Sequence, residues 1–199
     1  MNIEIDTELN VNTLKASLLI APKNDVRYCL NGVLLDFRAL SLNIVATTGH
    51  LLSAYSCLND TGISELKIIV PTNTLKTALS LVAKKKESIA LVIKDGVYRL
   101  GDMVFEPAPA DYPNYSRVIP TVQDIEPTIN SIDPALLVLA EKALNIHYGN
   151  SPNAKGENTV TYRGNQESVM VHRGDDQAVV VVMPRRVSDK PYKGFAGLN

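Results

Sequence analysis

The sequence has no tryptophan, only two cysteines and no excess of charge of either sign. Its 20 Lys and Arg residues are nearly cancelled by 21 Asp and Glu residues. This balance argues against a protein that binds DNA through a large basic excess, although it is compatible with one locally basic surface. Cys29 and Cys57 lie in or beside apolar segments. We therefore expect free, buried thiols, with a disulfide as the less common alternative.

Long hydrophobic runs are also absent. The longest, residues 135–140 and 178–183, are far shorter than the roughly 20 residues that span a bilayer. The N-terminal residues, Met1 to Asp6, are acidic and strand-like, which is not typical of a signal peptide. We therefore expect a soluble, cytoplasmic protein that does not contact a membrane. Its 199 residues leave room for one large domain or two small ones.

Motifs of catalysis and metal binding are missing as well. The histidines His50, His147 and His172 show no metal-ligand spacing. The sequence has no P-loop, no Gly-x-Ser-x-Gly and no Cys-x-x-Cys motif. We predict no enzymatic activity, no metal and no cofactor. The remaining alternative is an enzyme with an unrecognised site, which a concave cluster of titratable groups with shifted pKa values would support.

An internal repeat organises the chain. The tetrapeptide Asn-Thr-Leu-Lys occurs at residues 12–15 and again at 73–76, an interval of 61 residues. The same interval leads from Leu75 to Leu136, inside a third apolar helical pattern. The chain is thus predicted to contain three units of about 60 residues. Each unit opens with a short β-rich run, at residues 3–5, 68–70 and 125–129.

A helix and several strands are predicted to follow in each unit. Apolar residues from Leu75 to Val82, and again from Leu136 to Leu144, recur at helical spacing. Asp133 and Pro134 supply an N-cap and a first-turn proline for the third helix. The first helix, about residues 11–19, is less regular. The predicted strands are 27–37 and 42–56, then 89–94 and 97–105, then 159–162, 168–172 and 178–183.

This order of elements predicts an α+β fold of three β-α-β-β units, each with room for one further strand. The helices are expected on one face of antiparallel sheets, and neighbouring units must pack side by side to bury both layers. Asp95-Gly96 suits a tight hairpin turn. Five prolines between 107 and 127 indicate an extended connector at a domain boundary, and residues 150–158 form a polar loop.

Four segments of the chain form recognisable motifs: residues 24–35 (NDVRYCLNGVLL), 44–50 (IVATTGH), 112–120 (YPNYSRVIP) and 181–187 (VVMPRRV). In this order they resemble segments of the bacterial DNA polymerase III beta sliding clamp family. The first resembles the start of the clamp's middle domain, and the second its Val-Ala-Thr-Asp-Gly-His segment. The third resembles its Phe-Pro-Asp-Tyr-Arg-Arg-Val-Leu-Pro connector, and the fourth its closing Val-Val-Met-Pro-Met-Arg-Leu. The resemblance covers about residues 1–187 and implies the DNA-clamp fold.

The resemblance implies a shortened clamp. Residues 1–120 correspond to a middle domain of two units, and 121–187 to a single half-domain unit resembling the end of the last domain. The first domain of a full clamp and half of its third domain have no counterpart in this sequence. The resemblance therefore does not imply that the chain forms a closed ring. Residues 188–199 form a C-terminal tail, expected to be disordered or to dock Phe195 and Leu198 into a peptide pocket.

In this family, partner proteins insert a short linear motif with hydrophobic anchors into a cleft between the middle and last domains. An apolar slot of this kind suits an aromatic or Leu anchor. The alternative is an ordinary buried strand beside an ordinary linker. Where the family has Arg after Gly-His, this chain has Leu51, which we expect to alter partner choice. The matching positions are Leu30, Thr47, Gly49, His50, Leu52, Pro113, Arg117, Val118, Val181, Val182, Met183 and Pro184.

The resemblance also implies a DNA-facing surface, because helices in clamps carry basic residues toward the phosphates. Contacts to the phosphates do not depend on the base sequence of the DNA. Lys76 and Lys84 are predicted on one helix face, with two further lysines at the C-terminal end of that helix. The alternative is a solvated surface. The candidates are Lys15, Lys23, Asn24, Arg27, Lys76, Lys84, Lys85 and Lys86.

The function implied is a replication processivity factor or scaffold that contacts or encircles duplex DNA. It would bind short motifs of DNA polymerase, clamp loader or other replication proteins. The alternative is a clamp mimic that forms no ring and competes for those peptides. Family rings contain twelve units, so three units per chain would require four chains. We expect a homo-oligomer, either a tetrameric ring or a dimer that only partly surrounds DNA.

Overall fold

A computed structural model describes residues 4–83, 85–119, 132–154, 158–162, 168–174 and 177–184. The first unit contains β1 (Ile5–Asn10), α1 (Val11–Ile20), a short 3-10 helix (Tyr28–Leu30), β2 (Gly32–Phe37), β3 (Ser41–Thr47) and β4 (Leu51–Leu58). The second contains β5 (Leu66–Pro71), α2 (Thr72–Leu81), β6 (Ser88–Lys94), β7 (Val97–Leu100) and β8 (Met103–Phe105). The third contains α3 (Pro134–His147), β9 (Thr159–Tyr162), β10 (Val169–His172) and β11 (Ala178–Val182).

The repeat found in the sequence is confirmed as a repeat of structure. β1 and β5 begin 61 residues apart, and so do α1 and α2. Three strands follow the helix in every unit. The further strand for which the predicted β-α-β-β unit left room is therefore present. The opening strand expected at residues 125–129 lies outside the described residues.

Several predicted strand boundaries are wrong for local reasons. The strand expected from Arg27 begins only at Gly32, because Tyr28–Leu30 forms a turn of 3-10 helix. The stretch 42–56 is two strands separated by the turn at 48–50. The stretch 97–105 is likewise interrupted, because Gly101 adopts a φ of 57° that suits a turn.

Other local predictions are confirmed. Asp133 accepts a hydrogen bond from the Ala135 N–H at 3.0 Å, and Pro134 occupies the first turn of α3. Asp95 and Gly96 have φ values of 50° and 76°, which a tight primed hairpin turn requires. Both cysteines are free, but Cys57 is exposed, so burial of that thiol was wrongly expected.

The first two units exchange their opening strands. The smaller sheet has the order β1-β6-β7-β8, so β1 joins the strands of the second unit. The larger sheet has the order β5-β2-β3-β4-β11-β10-β9, so β5 joins the strands of the first unit. All pairs are antiparallel. This exchange makes the first two units one interlocked body.

The larger sheet is buried on both faces. One face meets the helices in the helix-side core, where β2, β4 and β11 contribute alternate residues such as Leu35, Tyr55 and Val180. The opposite face carries a second group of buried residues, here called the outer cluster: Leu34, Val45, Leu52, Ile69, Tyr115 and Val181. Residues of the connector after β8 cover this cluster, which places the connector on the side away from the helices. No helix in the described ranges is long and apolar enough to cross a membrane.

Candidate functional site

The pairing of β4 with β11 joins the third unit to the first and forms a seam. Leu51 lies opposite Val182, and Leu52 lies opposite Val181. Beyond the last pair, the Met183 N–H donates to the His50 carbonyl at 2.9 Å. The Gly-His turn and the Val-Met-Pro segment are more than 130 residues apart in sequence. They therefore meet where the paired strands β4 and β11 end, in the middle of the larger sheet.

The turn between β3 and β4 is held by its own side chains. The Thr47 hydroxyl donates to the Leu51 carbonyl at 2.8 Å and accepts the Gly49 N–H at 3.0 Å. Gly49 has a φ of 87°, which an L side chain would adopt only with strain. A Cβ added there would also lie 2.7 Å from Nη1 of Arg27, the far end of a flexible side chain that can move aside. The positive φ is therefore the reason for glycine at this position.

Arg27 ties the loop after α1 to this turn. Its guanidinium donates to the Thr48 carbonyl at 2.8 Å and pairs with the Asp25 carboxylate at 2.8 Å. The hydrogen bonds from Arg27 lower the pKa of Asp25 from its ordinary value to about 2. Arg27 was predicted as a DNA contact, but the structure places it beside Gly49, on the rim of the seam.

The connector is fixed to the outer face by Tyr115. Its hydroxyl donates to Asp36 Oδ2 at 2.6 Å and accepts from Arg38 and Asn43 at 3.0 Å each. The Arg38 guanidinium also lies 5.6 Å from the centre of the Tyr115 ring. Burial raises the pKa of the Tyr115 phenol, so it remains protonated and able to donate at neutral pH. This network positions the neighbouring connector residues, among them Val118.

The twelve predicted pocket residues occupy different layers of the seam. Leu52 and Val181 are buried in the outer cluster with Val118 packed against them. Gly49, His50, Pro113 and Arg117 are exposed, while Met183 and Pro184 are half-buried. Thr47 and Leu30 are buried in the turn and at the end of the 3-10 helix.

Val182 does not share this surface, because its side chain lies in the helix-side core. Leu51 lies there too, so the side chain that replaces the family's arginine does not reach the outer face of the seam. Strand alternation explains both placements, since neighbouring residues point to opposite faces.

A groove that no sequence pattern indicated runs beside the outer cluster. Its volume is about 410 Å³, and its lining includes Tyr115, Ile119, Met170, His172 and Val179. None of the twelve predicted pocket residues lines it. Its walls come from the connector and from four strands of two units, so only the tertiary fold brings them together.

The basic candidates are less concentrated than predicted. Lys15 and Lys76 are the fifth residues of α1 and α2 and are exposed, but the fifth residue of α3 is Val138. Because α2 ends at Leu81, the prediction that the later lysines extend its face is wrong for Lys85 and Lys86. Lys84 lies outside the described residues, and Lys23 and Asn24 are exposed in the loop after α1.

A sequence model of the central domain of the DNA polymerase III beta subunit matches residues 4–106. The chain belongs to the DNA polymerase III beta subunit family. A beta sliding clamp of Salmonella typhimurium is 30% identical over 104 residues, which cover 50% of this chain and 28% of that protein. One from Vibrio cholerae is 30% identical over 100 residues, covering 48% and 27%. The match thus spans little more than a quarter of these sliding clamps.

Solved sliding clamps share the fold over more of the chain. The DNA polymerase III beta subunit of Pseudomonas aeruginosa superposes with a TM-score of 0.70 and 17% identity, covering 92% of this chain and 66% of that one. The Thermotoga maritima beta subunit gives a TM-score of 0.70 and 14% identity, with the same coverage. The DNA-clamp fold therefore includes the third unit, which lies beyond the sequence match to the sliding clamp family.

Proposed function

We propose that this chain acts as a sliding-clamp-like processivity factor or scaffold in DNA replication, without catalysis of its own. It binds short linear motifs of DNA polymerase, clamp loader or related proteins at the β4–β11 seam, and it contacts or encircles duplex DNA. The observation that supports this proposal is the meeting of three sequence-distant segments at the seam, with Met183 hydrogen-bonded to His50.

The seam offers chemistry suited to a peptide anchor. Met183 and Val118 are half-buried and present apolar surface next to the buried Val181. A Leu or aromatic side chain gains most where it is desolvated among such residues, and Met adapts to different anchor shapes. His50 and Arg117 are exposed at the rim, where they can meet the backbone or an acidic group of the peptide.

The test is the affinity for a fluorescent peptide with adjacent Leu and Phe residues, measured by anisotropy. Met183→Lys places a charge at the anchor position, and we expect at least tenfold weaker binding, about 1.4 kcal/mol. Val138→Lys, on the exposed side of α3, serves as the matched control and should bind normally. Equal affinities of the two variants would show that the seam is not the peptide site.

A clamp mimic without a ring is the second candidate, and the sparse basic surface favours it. Among the described helices, only α1 and α2 carry an exposed lysine at the equivalent repeat position. Strong retention on closed circular DNA that is lost on linear DNA supports encirclement. Intact peptide binding with no retention on either DNA supports the mimic.

A further inference from the structure

The first two units complete each other by a reciprocal exchange. β2, the first strand after α1, pairs with β5, the opening strand of the second unit. β6, the first strand after α2, pairs with β1, the opening strand of the first unit. At the start of α1 the Val11 N–H donates to the Glu87 carbonyl at 2.8 Å. At the start of α2 the Thr72 N–H donates to the Asn31 carbonyl at 3.0 Å. Each unit therefore holds the opening strand and the helix start of the other.

The third unit has no such partner within the described part of the chain. β9 is its first strand after the helix and lies at the end of the larger sheet, where it pairs with β10 alone. The first two units have already exchanged their opening strands with each other, so neither has one left to give to the third. The outer edge of β9 is therefore open at the position where β2 and β6 each hold an opening strand.

Side-chain burial shows what the third unit lacks. Val160 of β9 lies opposite Val171, whose side chain is in the helix-side core, so both side chains face the helices. Val160 is nevertheless 40% exposed. The helix-side surface of β9 thus lacks the cover that a partner unit supplies to β2 and β6. The residues of those two strands that face the helices are at most 5% exposed, and they are Val33, Leu35, Phe37, Ile89, Leu91 and Ile93.

The start of α3 is uncovered in the same way. The fourth residue of each helix is a leucine. Leu14 of α1 and Leu75 of α2 are buried, whereas Leu137 of α3 is only half-buried. Pro134, the first residue of α3, is exposed, whereas the first residues of α1 and α2 are buried. An open strand edge and an uncovered apolar helix start on the same unit form a surface on which another unit can dock.

We propose that the edge of β9 and the start of α3 bind the third unit of a second copy of this chain, so that two third units complete one body by strand exchange. Each copy places its opening strand, which the sequence predicts at residues 125–129, against β9 of the other copy. A second copy is the occupant because the exchange between units is reciprocal. In the described part of the chain only the third unit has a free first strand after its helix, so its counterpart is the third unit of another copy.

Two-fold symmetry makes this contact self-complementary. Identical units that exchange equivalent strands are related by a two-fold axis, which gives a closed, isologous dimer. Pro134 has no N–H, so the helix-start bond of the first two units is not repeated, and the contact consists of strand pairing and apolar packing. It is separate from the seam, because β10 lies between β9 and β11. The proposal goes beyond peptide and DNA binding, and its test requires neither ligand.

The test is the mass in solution, measured by light scattering over a range of concentrations with reductant present. We expect the wild-type chain to reach at least twice the monomer mass of 21.7 kDa. Val160→Lys places a charge on the helix-facing side of β9 and should weaken dimerisation at least tenfold. The matched control is Val97→Lys on β7, because Val97 is also a strand valine and is 46% exposed. This control should dimerise like the wild type.

Hydrogen exchange adds a second readout that needs no variant. The amides of residues 159–162 in β9 should exchange more slowly as the concentration of the wild-type chain rises, whereas those of residues 51–55 in β4 should not change. Circular dichroism checks that Val160→Lys is folded. A wild-type monomer at every concentration overturns the proposal, and so does an oligomer in which exchange at residues 159–162 does not depend on concentration.

Discussion

At the scale of single residues, the Tyr115 hydroxyl makes three hydrogen bonds that attach the connector to the larger sheet. It donates to the buried Asp36 and accepts from Arg38 and Asn43. Tyr115→Phe removes these bonds and leaves the Asp36 carboxylate without one donor. We expect a loss of about 1–3 kcal/mol in the free energy of unfolding, measured with urea.

The control for this variant is Tyr112→Phe. The Tyr112 hydroxyl makes a single long contact of 3.5 Å with the Val45 carbonyl, so its removal should cost clearly less. Because the Tyr115 network also positions Val118, we expect the peptide affinity of Tyr115→Phe to fall. Equal stability of the two variants would show that the Tyr115 network adds little.

The Asp25–Arg27 pair predicts a specific titration. The pKa of Asp25 is lowered to about 2 in the folded chain, below its ordinary value of 3.8. The contribution of this pair to stability is therefore complete above pH 3.8 and is lost as the pH falls toward 2. Arg27→Ala should return the midpoint of the Asp25 titration to about its ordinary pKa of 3.8. The measurement is the NMR shift of the Asp25 carboxyl carbon, and a wild-type midpoint near 3.8 would contradict the pairing.

At the scale of helices and strands, the exposed lysines of α1 and α2 make the DNA-binding proposal testable. If Lys15 and Lys76 each neutralise one phosphate, replacing both with Glu should lower the slope of log affinity against log salt by roughly 1.8. Duplex binding should also weaken at low salt. Lys67→Glu and Lys94→Glu, both on strands, form the control pair and should leave the slope unchanged.

The local elements could be predicted from sequence because their causes are local. The N-cap at Asp133, the turn at Asp95-Gly96 and the interval of 61 residues all depend on neighbouring residues or on simple repetition. The end of α2 could not be predicted, since neither Gly nor Pro follows Leu81 to mark it. The lysines beyond it were therefore assigned to a helix that had already ended.

The composition of the candidate site was predictable only in part. Resemblance identified both strands of the seam, but strand alternation decides which side chains reach its outer face, and Val182 does not. The network around Tyr115 joins residues more than 70 positions apart, so no spacing rule could indicate it. The exchange of opening strands is likewise a choice of tertiary pairing that the repeat alone leaves open.

At the scale of the whole molecule, His147 holds the third unit against the first. It contacts Thr13 of α1 and stacks on Tyr55 of β4. His147→Ala leaves a cavity between these elements, and we expect a loss of about 2–4 kcal/mol in thermal or urea unfolding. His50→Ala is the control, because this exposed side chain should change stability by no more than about 0.5 kcal/mol. Similar losses in both variants would contradict the role of His147.

The number of chains in the assembly is testable at this scale. The sequence predicts a homo-oligomer, either a tetrameric ring or a dimer. Light scattering over a range of concentrations separates the two, because their masses are four times and twice the 21.7 kDa of one chain. A monomer at every concentration would contradict both.

The exchange of opening strands has a consequence for protein synthesis. Ile5 of β1 pairs with Ile93 of β6, so β1 must wait for a partner that is made 88 residues later. At ordinary rates of translation the wait lasts roughly 4–18 s. During that time Ile5 and Leu9, both buried in the finished fold, have no sheet to join. The nascent chain therefore exposes these apolar side chains to water, and its folding is expected to be slow because the paired residues are so distant in sequence.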